Sequence, residues 1–435
     1  MIGVRLLSPL ASPELRQTLR RRAATLLGAV LIGLVALAFA MLSDQTQRVF
    51  AAGASRLGPA LLAITPLGFM LLVYLTRRFT PEARGSGIPQ VIAAARLPQP
   101  EHSPLVSLRT ALAKTVVTIA GLMLGASSGR EGPTVQISAA IMTAMHRVLK
   151  VPLSAAVVIA GGAAGVSGAF NTPLAGVVFA LEELAAAYEQ RLTLLVMAAV
   201  VISGLVSLGI AGDYLYFGSL HDSMTLAAGL VAVPVIGVVG GIAGGLFSRL
   251  VLFAANGAAP VLTWVRRHPV IFAGVCGLAV ALMGVGSSGL TWGTGYAPAR
   301  ALIEGGTLPL WYAPAKFIAT LATTISGIPG GVFAPSLSVG AGLGGLLAPL
   351  FGGVPPGTIA LLMMTSYFVG VVRAPLTSTV IVMEMTDTHS LLLALIACAI
   401  IADGTAAIVC KERLYHGLAK GFAGHASAAA GKPAE

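Results

Sequence analysis

The residues best suited to chemistry lie at positions 128–136, which read Ser-Gly-Arg-Glu-Gly-Pro-Thr-Val-Gln. Here the carboxylate of Glu131 and the guanidinium of Arg130 stand between glycines in a chain that is otherwise almost continuously apolar. The Gly-rich break, with Pro133 at a first-turn position, predicts a helix that begins at this point. Because the free N–H groups of a helix N-terminus bind anions, the segment predicts an anion site.

Two further groups of polar residues are candidates. Ser86 stands in a Gly-x-Gly turn, which can direct a hydroxyl and the adjacent backbone N–H groups toward an ion. The alternative is an ordinary turn before a helix, which is the usual role of Gly and Ser. Glu182 and Glu183 end the apolar segment 173–181, and consecutive helical positions point about 100° apart. The two carboxylates therefore cannot share one role.

The composition places all these residues in a membrane protein. Hydrophobic residues make up 56% of the 435 residues and charged residues 10%, and the mean hydropathy is +0.89. Soluble domains are about one quarter charged. The net charge of +11 comes from dispersed basic residues, without the continuous basic block or the interleaved aromatic residues that nucleic-acid binding requires. We therefore expect an all-α polytopic membrane protein with no nucleic-acid partner.

Apolar windows long enough to cross a bilayer lie near residues 24–42, 57–76, 192–212, 225–252, 270–288 and 389–409. Shorter windows interrupted by Gly and Pro lie near residues 110–126, 132–149, 151–168, 173–187, 312–326, 332–351, 355–372 and 375–386. Lipid offers no partner to a freed backbone N–H or C=O group. The interruptions must therefore face protein or an aqueous cavity.

Basic residues flank both ends of the hydrophobic region. They are Arg5, Arg16 and residues 20–22 before the first span, and Lys411, Arg413, Lys420 and Lys432 after the last. The positive-inside rule then places both termini in the cytoplasm, so that the number of crossings is even. The first apolar segment has no convincing cleavage site, and we expect it to be retained as a span.

The chain contains an internal repeat. Pro133 falls on Pro335 at an offset of 335 − 133 = 202 residues, and the same ungapped offset pairs Lys114 with Lys316, Gly129 with Gly331 and Glu182 with Glu384. We expect two halves, 1–212 and 213–418, divided near residues 212–214. With an odd number of crossings in each half, the second copy is inverted. Segments 128–133 and 327–335 then face each other from opposite sides of the membrane.

Glu131 gains a specific role in such a site. A carboxylate inside a membrane is costly and is a functional candidate by default. When ionised, it is itself an anion and competes for the N–H groups that bind the permeating ion; when protonated, it loses that affinity. Proton binding and anion passage would thus be linked at one residue. The alternative is a structural pair with Arg130 at the helix end.

Three segments together resemble the signature sequences of the CLC family of chloride channels and proton-coupled antiporters. They are Gly-Ser-Gly-Ile-Pro at 85–89, Gly-Arg-Glu-Gly-Pro at 129–133 and Gly-Gly-Val-Phe-Ala-Pro at 330–335, in the family's order. The resemblance implies the CLC fold, with two inverted-topology repeats and many broken or re-entrant helices. We expect one integral domain over residues 1–435, in which 419–435 is a short disordered cytoplasmic tail. Because only this Ala/Gly/Lys tail follows residue 418, we expect none of the cytoplasmic nucleotide-sensing domains found on some family members.

The resemblance also implies which residues bind chloride: Ser86, Arg130, Gly132, Val332, Phe333 and Tyr415. The hydroxyl of Ser86 and the backbone amides of Val332 and Phe333 would coordinate the ion, and the phenol of Tyr415 would be a second side-chain ligand. The sequence before Tyr415, Cys-Lys-Glu-Arg-Leu, departs from the commoner Gly-Lys-Pro-Leu. An interfacial tyrosine, which is routine in membrane proteins, is the alternative for this residue.

For proton transfer, the resemblance implies two glutamates. Glu131 corresponds to the gating and proton-transferring glutamate, and Glu183 corresponds to the intracellular proton-entry glutamate of the antiporters. The repeat agrees, because Glu182 pairs with Glu384 whereas Glu183 pairs with Met385. A symmetric structural role suits Glu182 and Glu384. A solvated helix-end charge is the alternative for Glu183.

The function implied is chloride/proton antiport in a bacterial inner membrane by a homodimer with one pathway in each subunit. The protein would not be an enzyme; its partners would be chloride, protons and lipids, without a cofactor or metal. A passive chloride channel is the alternative, and Glu183 favours the antiporter. A transporter of organic anions or a lipid-handling protein would need a roomier cavity. Family members that favour nitrate carry proline at the position of Ser86, so chloride is favoured.

Overall fold

The computed structural model describes residues 13–97, 103–184, 190–212, 215–220, 222, 224–257 and 259–430. Over these residues the chain is helical, and the single bridge between extended segments joins Gly129 and Gly331. The helices are α1 (Pro13–Leu57), α2 (Leu61–Phe79), α3 (Ile88–Ala95), α4 (Leu108–Met123), α5 (Glu131–Val148), α6 (Ala155–Phe170), α7 (Pro173–Phe179), α8 (Gln190–Ala211), α9 (Leu226–Asn256), α10 (Pro260–Arg267), α11 (Pro269–Gly286), α12 (Tyr296–Ile303), α13 (Tyr312–Ser326), α14 (Phe333–Leu347), α15 (Pro356–Val372), α16 (Pro375–Thr386), α17 (Leu392–Val409) and α18 (Leu414–Ala430).

Six helical segments of the described chain are long and apolar enough to cross a membrane. They are Pro13–Phe79, Leu194–Ala211, Leu226–Asn256, Pro269–Gly286, Phe333–Leu350 and Leu392–Val409. The first contains both predicted windows 24–42 and 57–76, and four others match predicted windows. The interrupted windows become the shorter helices α4 to α7 and α13 to α16. Window 332–351 differs from the others, because α14 and the 3₁₀ turn that follows it form one of the six membrane-crossing segments, Phe333–Leu350.

Window 332–351 is continuous because its Gly and Pro residues do not interrupt the helix. Pro335 lies in the first turn of α14, where its missing N–H costs nothing. A Cβ on Gly340 of α14 would lie 2.6 Å from the Cα of Met364 on α15, and one on Gly244 of α9 would lie 2.7 Å from the Cα of Gly370. The glycines therefore serve close packing between helices, as small residues do in membranes.

The two halves of the chain contact each other reciprocally. The N–H of Gly129 donates to the carbonyl of Gly331 at 2.7 Å, and the N–H of Gly331 donates back at 2.8 Å. Glu182 accepts from the first turn of α16, at 2.7 Å from the N–H of Thr377, and Glu384 accepts from the first turn of α7, at 2.8 Å from Ala175. These exchanges give the repeat a local two-fold axis, and they confirm the symmetric structural role expected for Glu182 and Glu384.

The repeat-related lysines bind backbone carbonyls. Lys114 donates to the carbonyl of Gly85 at 2.7 Å, and Lys316 donates to that of Gly293 at 2.8 Å. The two carbonyls are 293 − 85 = 208 residues apart, so segment 293–295 is the structural counterpart of 85–87. Each buried ammonium thus fixes one of two equivalent Gly-x-Gly turns.

The C-terminal segment differs from expectation. Residues 419–430, expected to belong to a disordered tail, continue α18 as a helix. The segment is rich in alanine, the strongest helix former, and it extends a helix that has already begun. Arg5, Asp213, Tyr214, Lys432 and the remainder of the expected tail lie outside the described residues.

Candidate functional site

Three distant segments meet at one place in the fold. The reciprocal bonds of Gly129 and Gly331 align the chain just before α5 with the chain just before α14. The N–H of Gly330 donates to the carbonyl of Gly85 at 3.1 Å and ties in the turn before α3. We call residues 85–87, 129–133 and 330–335 the central cluster. The predicted convergence of the three sequence segments is therefore present in the structure.

Two helix N-termini of the central cluster have no side-chain cap. The N-cap residues are Arg130 for α5 and Val332 for α14, and neither side chain accepts a hydrogen bond from the first turn. First-turn N–H groups have no partner within their own helix, and the helix dipole adds partial positive charge at the same end. The two helix starts thus offer N–H donors to a small anion.

Glycine is required where these segments touch. A Cβ on Gly132 would lie 2.9 Å from the carbonyl oxygen of Ser86 and 3.3 Å from the Cα of Gly331. Gly87 has φ +115°, which L side chains rarely adopt, and its Cβ would lie 3.1 Å from the carbonyl carbon of Gly132. Without side chains at these positions, the turn before α3 can approach the start of α5.

Ser86 and Tyr415 bring two buried hydroxyl groups to the cluster. Their side chains are 9% and 1% exposed, and neither hydroxyl has a hydrogen-bond partner within the described part of the chain. The two groups lie close enough to interact with each other. Each hydroxyl can donate one hydrogen bond, so the two groups together can bind an anion at this place. The Phe333 ring, 6.0 Å from that of Tyr415, packs beside them.

Glu131 is fully buried at the start of α5. The phenol of Tyr296 donates to its Oε1 at 2.6 Å. The carboxylate also lies close to the N–H of Ala334 at the start of α14, while Oε2 makes no hydrogen bond to a described residue. The carboxylate therefore faces the two helix starts and is held on one side by a phenol.

The guanidinium of Arg130 packs with Asp44, Tyr216 and Tyr296, and we call these four residues the wall of the site. It forms an ion pair with Asp44 at 2.6 Å, donates to the carbonyl of Ala40 and donates to the phenol of Tyr216 at 2.9 Å. It also lies 5.5 Å and 5.8 Å from the ring centroids of Tyr216 and Tyr296, which stack on each other at 4.8 Å. The guanidinium is thus engaged with this wall and fixes the ring that holds Glu131.

A cavity leads toward the same wall. It has a volume of about 740 Å³, and its lining includes Asp44, Gln47, Trp292, Thr294 and Tyr296. Thr294, the counterpart of Ser86, donates through both its N–H and its hydroxyl to Oε1 of Gln47, at 2.9 Å and 3.1 Å. The cavity is therefore lined in part by Tyr296, the residue whose phenol is bonded to Glu131.

Glu183 lies in a π-helical turn, Ala180–Leu184, that extends α7. Its side chain is 1% exposed, and neither carboxylate oxygen has a hydrogen-bond partner among the described residues. Nδ1 of His416 lies 3.3 Å from Oε1. Glu183 and Glu131 both act electrostatically on Tyr415. Glu183 therefore differs from Glu182, which caps α16, as the repeat predicts.

The structure adds residues that the sequence did not single out: Asp44, Tyr216, Tyr296 and His416. The sequence carries a signal for one of them. Tyr296 directly follows a Gly-Thr-Gly segment that mirrors the Gly-Ser-Gly segment at 85–87, although the ungapped offset of the repeat hides the match. For His416 the signal is only its place next to Tyr415.

Comparison with known sequences places the chain among transport proteins. Residues 68–407 match the family described as voltage gated chloride channel. A protein of Klebsiella pneumoniae (strain 342), named H(+)/Cl(-) exchange transporter ClcA, is 33% identical over 391 residues, covering 84% of this chain and 81% of its own length. A protein of the same name from Yersinia pseudotuberculosis serotype IB (strain PB1/+) is 30% identical over 420 residues, covering 89% of this chain and 84% of its own.

Solved structures share the fold. A slow cyanobacterial Cl-/H+ antiporter aligns with a TM-score of 0.79 at 21% identity, covering 93% of this chain and 98% of its own. A eukaryotic CLC transporter aligns with a TM-score of 0.75 at 23% identity, covering 93% of this chain and 74% of its own. These likenesses confirm the predicted all-α polytopic fold.

Proposed function

The chain belongs to the voltage-gated chloride channel family, and we propose that it is a secondary active transporter that exchanges chloride for protons. The names of the curated relatives supply the two substrates. One observation carries the proposal: two uncapped helix starts meet two buried, unpartnered hydroxyl groups beside the carboxylate of Glu131. Such a cluster provides donors for an anion and a protonatable group at one place.

In this proposal, chloride is bound by hydrogen-bond donors and not by a full positive charge. The hydroxyl groups of Ser86 and Tyr415 and the backbone N–H groups of Val332 and Phe333 replace part of the hydration shell of the ion. Many weak donors allow the ion to leave again, which conduction requires.

The start of α5 contributes the remaining donors. Gly132 offers its N–H. It also leaves room for Ser86, because a Cβ at this position would lie only 2.9 Å from the carbonyl oxygen of Ser86. Arg130 contributes through its backbone and its positive charge, because its guanidinium is already paired with Asp44. The positive charge of Arg130 acts on the anion through the protein interior, where electrostatic interactions are less screened than in water.

Glu131 is the gate. Its ionised carboxylate competes with chloride for the N–H groups of α5 and α14, and its proximity to Ala334 supports this competition. When a proton neutralises it, the carboxyl loses its advantage over chloride and swings away. Binding of one proton thereby removes the Glu131 side chain from the site and lets chloride bind there.

Glu183 supplies protons to the gate from the cytoplasmic side. Its burial, its two unpartnered oxygens and its electrostatic influence on Tyr415 support this role. A passive chloride channel does not need a second buried carboxylate for proton transfer at this position. The liposome experiment below distinguishes the channel from the antiporter.

We place the protein in a bacterial inner membrane with both termini in the cytoplasm, because basic residues flank the hydrophobic region at both ends and the curated relatives are bacterial. Exposed apolar side chains of α1, α2 and α9 suit contact with lipid. A homodimer with one pathway per subunit follows from the family resemblance.

The proposal is tested in liposomes that contain the purified protein. An imposed chloride gradient should drive protons against their own gradient, measured as a pH change on one side. Glu131→Ala should retain chloride flux and lose proton movement, because the competing and titrating group is gone. Glu304→Ala is the matched control, since this carboxylate is 48% exposed and pairs with Arg300. Chloride flux without proton movement in the unmodified protein would identify a passive channel.

A further inference from the structure

Glu183 and His416 face each other at the edge of the buried region. Oε1 of the carboxylate and Nδ1 of the imidazole are 3.3 Å apart. Both atoms are buried, and within the described chain neither meets the geometry of a hydrogen bond. The two groups are therefore within reach of each other.

The imidazole connects two environments. The His416 side chain is 27% exposed, whereas that of Glu183 is 1% exposed. Since Nδ1 is buried, the exposure belongs to the rest of the ring, which carries Nε2. Tyr415, the preceding residue of α18, points its hydroxyl toward the central cluster, and consecutive helical residues diverge by about 100°. One ring thus has a nitrogen toward Glu183 and an edge toward solvent.

We propose that His416 carries protons between cytoplasmic water and Glu183. The inference rests on the proposed role of Glu183 as the inner proton acceptor, and it adds the residue that feeds this acceptor. Histidine is suited to the task because it gains and loses a proton near neutral pH and has two distinct ring nitrogens. A buried carboxylate without direct contact with water needs such an intermediary.

The transfer balances in atoms and charge. A hydronium ion gives its proton to Nε2 of the neutral ring that carries a proton on Nδ1: one O–H bond breaks, the N–H bond at Nε2 forms, and imidazolium and water result. The N–H bond at Nδ1 then breaks and an O–H bond forms on Oε1 of Glu183, which leaves a neutral ring with its proton on Nε2 and a neutral carboxyl. Rotation of the partly exposed ring, or proton exchange with water, restores the starting tautomer.

Arg413 and Glu182 act directly on Glu183, with opposite signs. Glu182 caps α16, and Lys420 is already paired with Glu412. The elements that pack on α18 carry two more charged groups: Arg84, before α3, lies over the ring of Phe422, and Arg249 lies on α9. His416 lies 3.3 Å from Glu183 and its side chain is 27% exposed, so it can reach both the carboxylate and water.

The test uses His416→Ala in the full-length protein in liposomes. We expect proton flux to fall by about tenfold to hundredfold, the range typical of a lost proton-transfer group, while chloride flux persists. Persistent chloride flux also shows that the variant is folded. Imidazole-4-acetate, whose charge keeps it from crossing the bilayer, should restore proton flux in a saturable way. An equal concentration of methanesulfonate should not, because methanesulfonate does not titrate near neutral pH and does not carry protons across the bilayer.

Two control variants separate the possible outcomes. His389→Ala should be normal, because His389 is 74% exposed and lies 3.4 Å from Asp387, a similar pair outside the proposed pathway. Glu183→Gln should lose proton flux without rescue by the imidazole compound. If Glu183→Gln keeps its proton flux, the proposed function of Glu183 fails. Suppose instead that Glu183→Gln loses proton flux. The role of His416 alone is then overturned if His416→Ala has the same proton flux as His389→Ala, or if its proton flux falls and the imidazole compound does not restore it.

Discussion

Replacing Tyr296 by Phe removes one hydrogen-bond donor and keeps an aromatic ring of the same shape. The hydroxyl donates to Oε1 of Glu131 at 2.6 Å, and Oε2 has no bonded partner in the described chain. The ring itself packs on Tyr216 and Phe217, with centroids 4.8 Å and 5.4 Å away. Because phenylalanine preserves these contacts, the substitution isolates the effect of the hydroxyl on Glu131.

The magnitude follows from the charge of the acceptor. A hydrogen bond to a charged group contributes about 1.5–3 kcal/mol. The bond favours the ionised carboxylate, so without it Glu131 is protonated at a higher pH. Tyr296 is only partly buried, so we expect the ionised carboxylate to lose an amount near the lower end of this range, about 1.5 kcal/mol.

The assay is the pH dependence of coupled exchange in liposomes. Exchange depends on the protonated gate, so its rate declines as pH rises through the range where Glu131 loses its proton. In Tyr296→Phe this decline should begin at a higher pH, and the variant should be faster than the unmodified protein on the alkaline side. Tyr312→Phe is the control, because Tyr312 is a buried tyrosine that bonds to Ser338 and does not contact Glu131.

A double variant provides the decisive comparison. In a Glu131→Gln background there is no carboxylate to ionise and proton movement is expected to be lost, so the pH profile of chloride flux is measured instead. Tyr296→Phe should leave that profile unchanged. An unshifted profile in the single variant, at a normal rate of exchange, would show that the phenol does not hold the gate. An equal shift in both backgrounds would show that Tyr296 acts on some other titrating group.

Two further predictions concern single contacts. Ser86→Ala and Tyr415→Phe should each weaken chloride binding about 2-fold to 10-fold, measured by titration calorimetry, because each removes one donor worth about 0.5–1.5 kcal/mol; unchanged affinity in both would exclude these hydroxyls as ligands. Glu182→Ala and Glu384→Ala should each lower stability by about 0.5–2 kcal/mol, the usual contribution of a helix cap, in thermal unfolding in detergent. A clear inequality between the two would contradict the reciprocal capping.

The internal repeat allowed much of the scaffold to be predicted from the sequence. Gly129 and Gly331, paired by an offset of 202, exchange two hydrogen bonds, and Glu182 and Glu384 cap each other's helices. Such contacts are predictable because an inverted repeat brings equivalent positions together across an axis. The same reasoning identified Glu183 as the carboxylate without a counterpart.

The contacts of the gate were not predictable in the same way. Tyr296 and Glu131 are separated by 165 residues, and no periodic pattern links them. Their bond depends on the turn at 293–295, which the ungapped comparison misses because its offset is 208 instead of 202. The partner of Glu183 is hidden for a different reason. A histidine after a helix start has no sequence signature, and only the 3.3 Å distance between Nδ1 and Oε1 shows that the two groups face each other.

The chemistry lies where the two copies of the repeat differ. At the offset of 202, the counterpart of Glu131 is Phe333, and the counterpart of Glu183 is Met385. Two carboxylates at the paired helix starts would repel each other and would both compete with the anion for the same N–H groups. With Phe333 in place of the second carboxylate, the ring packs against Phe368 at 4.8 Å and next to Tyr415. In the proposed function, a symmetric scaffold therefore carries both proton-accepting carboxylates in its first copy, which gives the pathway two different ends.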